Sequence, residues 1–275
     1  MIEPTEGRYL TGDGLTGAYR VWGSGPPLIC VHGVYRNSHD FDYLAAALAD
    51  RFQVICPDMI GRGGSDWAPD IGRYNFEFYA RDVLTLADSL GLDNFHYLGT
   101  SMGGMIGMVL TAQAPRRVRR LVLNDAGPYV RLSVLREVGQ RSLDAPARFA
   151  SYAEAEAFFA ASTASWGPLT AEQRAHIVRH SVRPAGDGWV FHYDPQLIKG
   201  FRWPEGDLDI WPLYRSIPCP ILVLRGEHSE VVPPDVAEQL RREPRTQVID
   251  VAGAGHAPSL MAPAQIAAVR AFLES

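Results

Sequence analysis

A doubly wound, mainly parallel α/β sheet with an inserted helical cap is the fold class that this 275-residue sequence predicts. Three observations lead there. Short apolar runs alternate with helical patterns along both ends of the chain. One such run passes through Gly99-Thr100-Ser101-Met102-Gly103 directly into a helical pattern of small residues. Between residues 127 and 210 the alternation gives way to amphipathic helical runs. Short apolar strands linked by helices bury both faces of a sheet, as a parallel sheet requires.

Taken in order, strands are expected at 17–22, 27–32, 52–56, 95–99, 118–124, 220–225 and 246–251. Helical patterns fall at Phe41 to Asp50, Phe76 to Leu90, Met102 to Ala114, Asp235 to Arg242 and Ala262 to Leu273. These make a core of 1–126 and 211–275. The cap, 127–210, carries helical runs at Leu132 to Leu143, Tyr152 to Ser162 and Ala171 to Val182, with a Trp-Gly-Pro break at 166–168. Gly127-Pro128 at its entry and Trp211-Pro212 at its exit read as hinge points. Its aromatics, Trp189, Phe191, Tyr193, Phe201, Trp203 and Trp211, are suited to wall an apolar pocket and exclude water. Gluing the cap to the core is the competing role for any one of them.

The G-x-S-x-G stretch in a strand-to-helix setting reads as a nucleophile elbow, a sharp turn that displays Ser101 between glycines able to pack without Cβ clashes. A hydroxyl is a weak nucleophile at neutral pH, so Ser101 needs a base, and the base needs a partner that fixes its tautomer. Of eight histidines, His256 in Gly253-Ala254-Gly255-His256-Ala257-Pro258 stands on a loop after the last predicted strand. An oxyanion hole requires backbone N–H donors. Met102 supplies one at a helix start. Val34, after Val31-His32-Gly33, supplies the other if Gly33 lets the chain turn. His32 is read as bracing this loop, and with Trp189, Phe191 and Trp203 it is a candidate for the pocket wall.

On His32-Gly33, on Pro57-Asp58-Met59-Ile60-Gly61-Arg62-Gly63-Gly64-Ser65-Asp66, on the elbow and on Gly253 to Pro258, the chain resembles an α/β-hydrolase fold protein with a helical cap. The four motifs occur in the family's order and span essentially the whole length. The resemblance implies a catalytic order of serine, acid, histidine. It gives Asp58 and the glycines after it a role in shaping a loop near the site, with no chemistry.

The acid departs from the common pattern. In most of the family it is an Asp three residues past the glycine that ends the strand after the cap. Here that strand leads into Gly226-Glu227-His228-Ser229-Glu230, and the slot holds Ser229, which cannot supply the negative charge that stabilises imidazolium. Two carboxylates remain open. Asp125 ends the strand after the nucleophile's helix, a position that haloalkane dehalogenases and zearalenone-type lactonases use, and it is preferred. Glu230, one residue past the usual slot with a longer side chain, is the alternative.

A net charge of −5 gives no footing for nucleic-acid or anionic-membrane partners. The start, Met1-Ile2-Glu3-Pro4-Thr5-Glu6, lacks a basic n-region and an apolar h-region, and no run approaches membrane-spanning length, so a cytoplasmic location is expected. Cys30, Cys56 and Cys219 are expected as buried hydrophobes rather than a disulfide framework. No H-E-x-x-H, C-x-x-C or P-loop lysine occurs. The expectation is therefore no cofactor and no metal, with a small molecule as partner. Oligomeric state is left unassigned.

The leading function is hydrolysis of a carboxylic ester or lactone of a small apolar substrate by a serine esterase mechanism. A hydrolase of carbon–carbon bonds in meta-cleavage-type products uses the same triad on anionic substrates, and the cap offers Arg131, Arg136, Arg141, Arg148, Arg174, Arg179 and Arg183 as cations. A slow or non-catalytic ligand receptor of the same fold is the third reading.

Overall fold

The computed structural model describes residues 3–200 and 205–275. The strands are β1 (Thr5–Leu10), β2 (Thr16–Trp22), β3 (Pro27–Val31), β4 (Gln53–Asp58), β5 (Phe95–Thr100), β6 (Val118–Asn124), β7 (Tyr129–Val130), β8 (Val182–Ala185), β9 (Gly188–Phe191), β10 (Leu208–Asp209), β11 (Ile221–Gly226) and β12 (Thr246–Val251). The helices are α1 (Asp42–Leu48), α2 (Phe76–Ser89), α3 (Met102–Gln113), α4 (Leu132–Leu143), α5 (Tyr152–Ser162), α6 (Ala171–Ser181), α7 (Leu197–Gly200), α8 (Trp211–Arg215), α9 (Pro234–Arg242) and α10 (Pro263–Glu274).

Eight strands form one sheet in the order β1-β2-β4-β3-β5-β6-β11-β12. From β4 to β12 every pairing is parallel, and β1 and β2 join antiparallel at one edge. Successive side chains of a strand point to opposite faces, and the apolar runs use both. Ile29, Val31, Leu121, Leu123 and Val223 pack with α2, α3 and α9 on one side. Leu28, Cys30, Val122, Leu222 and Leu224 pack with α1 and α10 on the other. All three cysteines are buried and free.

Besides the two-residue strands β7 and β10 and the short helices α7 and α8, two features lie outside the sequence expectations. The first, β1, is mostly exposed, with Tyr9 its buried side chain; an edge strand with one solvated face has no apolar run to betray it. The second is the antiparallel hairpin β8–β9 inside the insertion, whose four-residue strands are too short for a period to show.

The insertion after β6 carries α4, α5, α6 and that hairpin. At its base β7 pairs with β10, Val130 opposite Leu208, and the Ile210 amide donates to the Pro128 carbonyl at 2.8 Å. Entry and exit are thus zipped into a two-stranded neck. Phe149, Phe159, Ile177, Val178 and Val182 form a separate small core with Met261 of the main body. Among the described residues no helix is long and apolar enough to cross a membrane.

Candidate active site

The turn from β5 to α3 holds Ser101 at φ 51°, ψ −111°, a conformation that L-residues avoid unless their surroundings impose it. Packing imposes it here. A Cβ on Gly99 would stand 2.2 Å from the Gly103 carbonyl carbon, and one on Gly103 would stand 2.0 Å from the Val31 carbonyl oxygen. Such approaches are possible only for glycine, so the two glycines let α3 sit against the ends of β3 and β5 with Ser101 at the apex.

Ser101 Oγ lies 2.9 Å from His256 Nε2, and His256 Nδ1 lies 2.7 Å from Asp125 Oδ2. A carboxylate only accepts, so the Nδ1–H donates to Asp125 and Nε2 is left to take the serine proton. Asp125 is fully buried at φ 51°, just past β6. Its Oδ1 accepts the Gly226 amide at 3.0 Å and its Oδ2 accepts the Ser229 hydroxyl at 2.7 Å.

The alternative acid, Glu230, is corrected by this geometry. Its side chain is 65% exposed and its ion-pair contact is Arg141 at 3.9 Å. Ser229 turns inward to Asp125, and the residue after it is carried out to solvent.

Of the two expected oxyanion donors, Met102 opens α3, where a first-turn N–H has no intrahelical acceptor. Neither its amide nor that of Val34 has a protein acceptor among the described residues. Both residues border the cavity at Ser101. Gly33 does not play the part expected of it. A Cβ there would meet Arg36 at an ordinary 3.6 Å, so the turn does not require a glycine.

The loop is held by His32 and Arg62. His32 is fully buried; its Nδ1–H donates to the Gly33 carbonyl at 2.7 Å and its Nε2 accepts the Met59 amide at 3.0 Å. It braces the backbone and does not line the cavity, which corrects its candidacy for the pocket wall. Burial, reinforced by the Arg62 charge, lowers its pKa to about 4. Arg62, a fully buried guanidinium, donates to the Val34 carbonyl at 2.9 Å and contacts the Met102 sulfur at 3.3 Å. It also bonds the Ile60 carbonyl and the Tyr79 hydroxyl. Sequence reasoning placed Arg62 in a loop motif and gave it no link to Val34 and Met102, the candidate oxyanion donors. Asp58 accepts the Ser38 and Gly64 amides at 2.7 and 2.8 Å, which is a loop-shaping role.

Two spaces share Ser101 and His256 in their walls. One, about 250 Å³, is bordered by Arg36, Phe158, Phe159, Trp166, Phe191 and Tyr193. The other, about 440 Å³, is bordered by Phe76, Met105, Val130, Val134, Leu135 and Val231. Phe191 therefore borders the smaller space. Trp189 does not; it packs edge-on against Tyr152, ring centres 5.0 Å apart, within the insertion. Trp203 and Phe201 lie outside the described residues. The seven arginines of the insertion named above are all exposed, and of them Arg141 borders the smaller space. Arg36, inside the wall, is tied to Asp40 at 2.6 Å and to Ser181 at 2.5 Å.

A cluster of His39, Asp42, His176 and His180 brings one possible ligand atom from each within 4.8 Å. Its groups already serve one another. Asp42 receives Arg20 at 2.5 Å and His39 at 2.9 Å, and His176 Nε2–H donates to the His39 carbonyl at 3.0 Å. The His39 and His180 rings stack at 3.5 Å with planes 14° apart, so their in-plane lone pairs do not converge on one ion. The cluster ties α6 of the insertion to the main body, beside the bond from Asn37 to the His180 carbonyl at 2.6 Å. A wider cleft of about 730 Å³ beside α2, lined by Asp13, Arg73 and Glu77, holds none of the catalytic candidates.

Residues 26–263 match a family model described as alpha/beta hydrolase fold. The chain is 38% identical to a 3-hydroxybutyrate-oligomer hydrolase of Cupriavidus necator, over 93% of this chain and 92% of that protein. It is 30% identical to a 2-(acetamidomethylene)succinate hydrolase of Mesorhizobium japonicum, over 88% and 85%. Among solved structures, an alpha/beta hydrolase from Novosphingobium aromaticivorans superposes with a TM-score of 0.90 at 31% identity, covering 100% of this chain and 99% of that one.

Proposed function

The chain belongs to the alpha/beta hydrolase fold family, and from that premise we propose that it is a serine hydrolase cleaving a carboxylic ester through an acyl-enzyme on Ser101. The observation that carries this reading is the unbroken hydrogen-bonded run from Asp125 through His256 to Ser101. Ser101 Oγ attacks the carbonyl carbon while its proton passes to His256 Nε2. The Val34 and Met102 amides receive the oxyanion, and Asp125 holds the imidazolium. His256 returns the proton to the departing alkoxide. Water then attacks the acyl-enzyme, its proton going to His256 and on to Ser101 as the acid leaves. Nucleophile, base and oxyanion donors are all side chains or amides of this chain, so the proton count closes without a cofactor.

The two spaces at Ser101 suit the two halves of an ester, acyl group in one and alcohol in the other. Their walls are mainly apolar, which favours aliphatic or aromatic groups. The name of the 38% identical relative supports short linear oligomers of a hydroxy acid as the substrate class, since each internal linkage there is an ester. A lactone is the same bond closed on itself. In the cap reading, segment 127–210 forms the roof over the core of 1–126 and 211–275 and excludes water during turnover.

Two guanidinium groups border the smaller space, Arg36 paired with Asp40 and the exposed Arg141 paired with Glu137, and either an anionic dienone or the terminal carboxylate of a hydroxy-acid oligomer could use them. The ester reading is favoured over carbon–carbon cleavage by the name of the 38% identical relative. Steady-state kinetics on p-nitrophenyl esters, a linear 3-hydroxybutyrate trimer and a ring-fission dienone, each with Ser101→Ala as control, test the assignment. Multiple turnover of esters that vanishes in Ser101→Ala is expected. Turnover of the dienone alone would replace the reading with the carbon–carbon one, and binding without turnover would replace it with a receptor.

A further inference from the structure

Asp125 and Ser229 come from different loops and meet inside the protein. The strands that carry them, β6 and β11, are parallel neighbours with Asn124 opposite Leu224, and the Asp125 amide extends the ladder by donating to the Leu224 carbonyl at 2.8 Å. Beyond this point both chains turn. The φ of 51° at Asp125 swings its carboxylate over the end of β11, and the turn after Gly226 brings Ser229, 4% exposed, to face it.

The Ser229 hydroxyl has its two roles assigned. Its oxygen accepts the Val232 amide at 3.0 Å, and its hydrogen points at Asp125 Oδ2, 2.7 Å away. That same Oδ2 receives His256 Nδ1–H. The carboxylate therefore holds three donors, Gly226 on one oxygen and Ser229 with His256 on the other. Three donors from two directions fix the plane of a group that otherwise turns freely about its last torsion.

Resting on the serine-hydrolase reading above, we propose that Ser229 is a positioning residue that sets the orientation of Asp125 toward His256. It reaches the imidazole only through the Oδ2 that both contact, so its effect falls on proton transfer and not on substrate binding.

The test uses the full-length protein, an ester substrate and a fluorophosphonate that titrates active sites. In Ser229→Ala the fall is expected in kcat, by about tenfold to a hundredfold as for a small misplacement of a catalytic group, with KM within about twofold. The number of titratable sites should not change, whereas a merely structural role would lower that number and leave the rate per site intact. The proposal is overturned by a Ser229→Ala rate per site equal to wild type. A wild-type protein that takes no label at Ser101 overturns the serine-hydrolase reading itself. A labelled wild type with an unimpaired Ser229→Ala overturns this inference alone.

Discussion

Asp125 Oδ2 and His256 Nδ1 lie 2.7 Å apart although β11 runs between the strands that lead to them in the sheet order β6-β11-β12. The end of β11 makes the meeting possible. Gly226 gives its amide to Asp125, and its missing Cβ leaves room for the Gly255 carbonyl, which would otherwise stand 2.2 Å away. The His256 loop crosses β11 at the one point where the strand has no side chain.

Gly226→Ala should therefore displace His256 while leaving the elbow untouched. The expected result is a kcat lowered by about a hundredfold, the scale of a displacement near 1 Å, in a protein that still folds. A crystal structure of the variant and its kcat check this. An unchanged kcat would mean that the loop adapts without moving the imidazole.

Asp125→Asn keeps the shape but favours the wrong imidazole tautomer, and a loss on the order of 10⁴ in kcat is expected, the magnitude of the serine-protease example from which the rule is drawn. Glu230→Gln should stay within about twofold, because that side chain is solvated and its partner Arg141 is 67% exposed. Kinetics on both variants, with melting temperatures in hand, decide the acid. The opposite ranking in folded proteins would return it to Glu230.

How far the site was legible in sequence follows from what sequence encodes. Ser101 and His256 stand out because glycines and strand ends mark them locally. The acid was ambiguous because two carboxylates stood near two strand ends, and only the turn at Ser229 decides which one faces inward. Arg62 and Ser229 act through contacts between distant loops, and no local pattern marks such contacts. The same limit applies to the aromatics. Trp189 and Phe191 sit on one short strand of a hairpin that a helical reading of the cap missed, and their different fates depend on that hairpin's packing. The fold class was legible because buried parallel strands are short continuous apolar runs, and β1 was not because it is none.

Acid should destabilise the fold over a defined window. Burial first, and neighbouring cations second, lower His32 and His96 to about 4. Burial, with His39 and His176 beside it, lowers His180 to about 3. A histidine whose folded pKa lies below its usual 6.5 takes up its proton more readily when unfolded, so stability is full above about pH 6.5 and falls as the pH drops toward 4. Burial raises Asp82 to about 6, which opposes this trend in part. His180→Phe keeps a ring against His39 and removes one site, so the proton uptake on unfolding between pH 5 and 6 should fall by about one. Denaturant titrations across that range measure it, and an unchanged slope would contradict the assignment.

Phe191 stacks on Tyr193 with ring centres 4.9 Å apart and narrows the smaller of the two spaces at Ser101. Phe191→Ala should shift kcat/KM toward bulkier acyl or alcohol groups by about tenfold, within the range that a change of pocket volume supplies. A panel of esters graded in size reads this directly. A profile as flat as the wild type's would leave Phe191 a packing residue of the cap.

The central claim, that Ser101 is the group acylated, is tested most directly by mass spectrometry after treatment with a fluorophosphonate. The account predicts one label per chain, on the peptide containing Ser101, with activity lost in proportion and no label in Ser101→Ala. A label on another residue, or full esterase activity in Ser101→Ala, would contradict it.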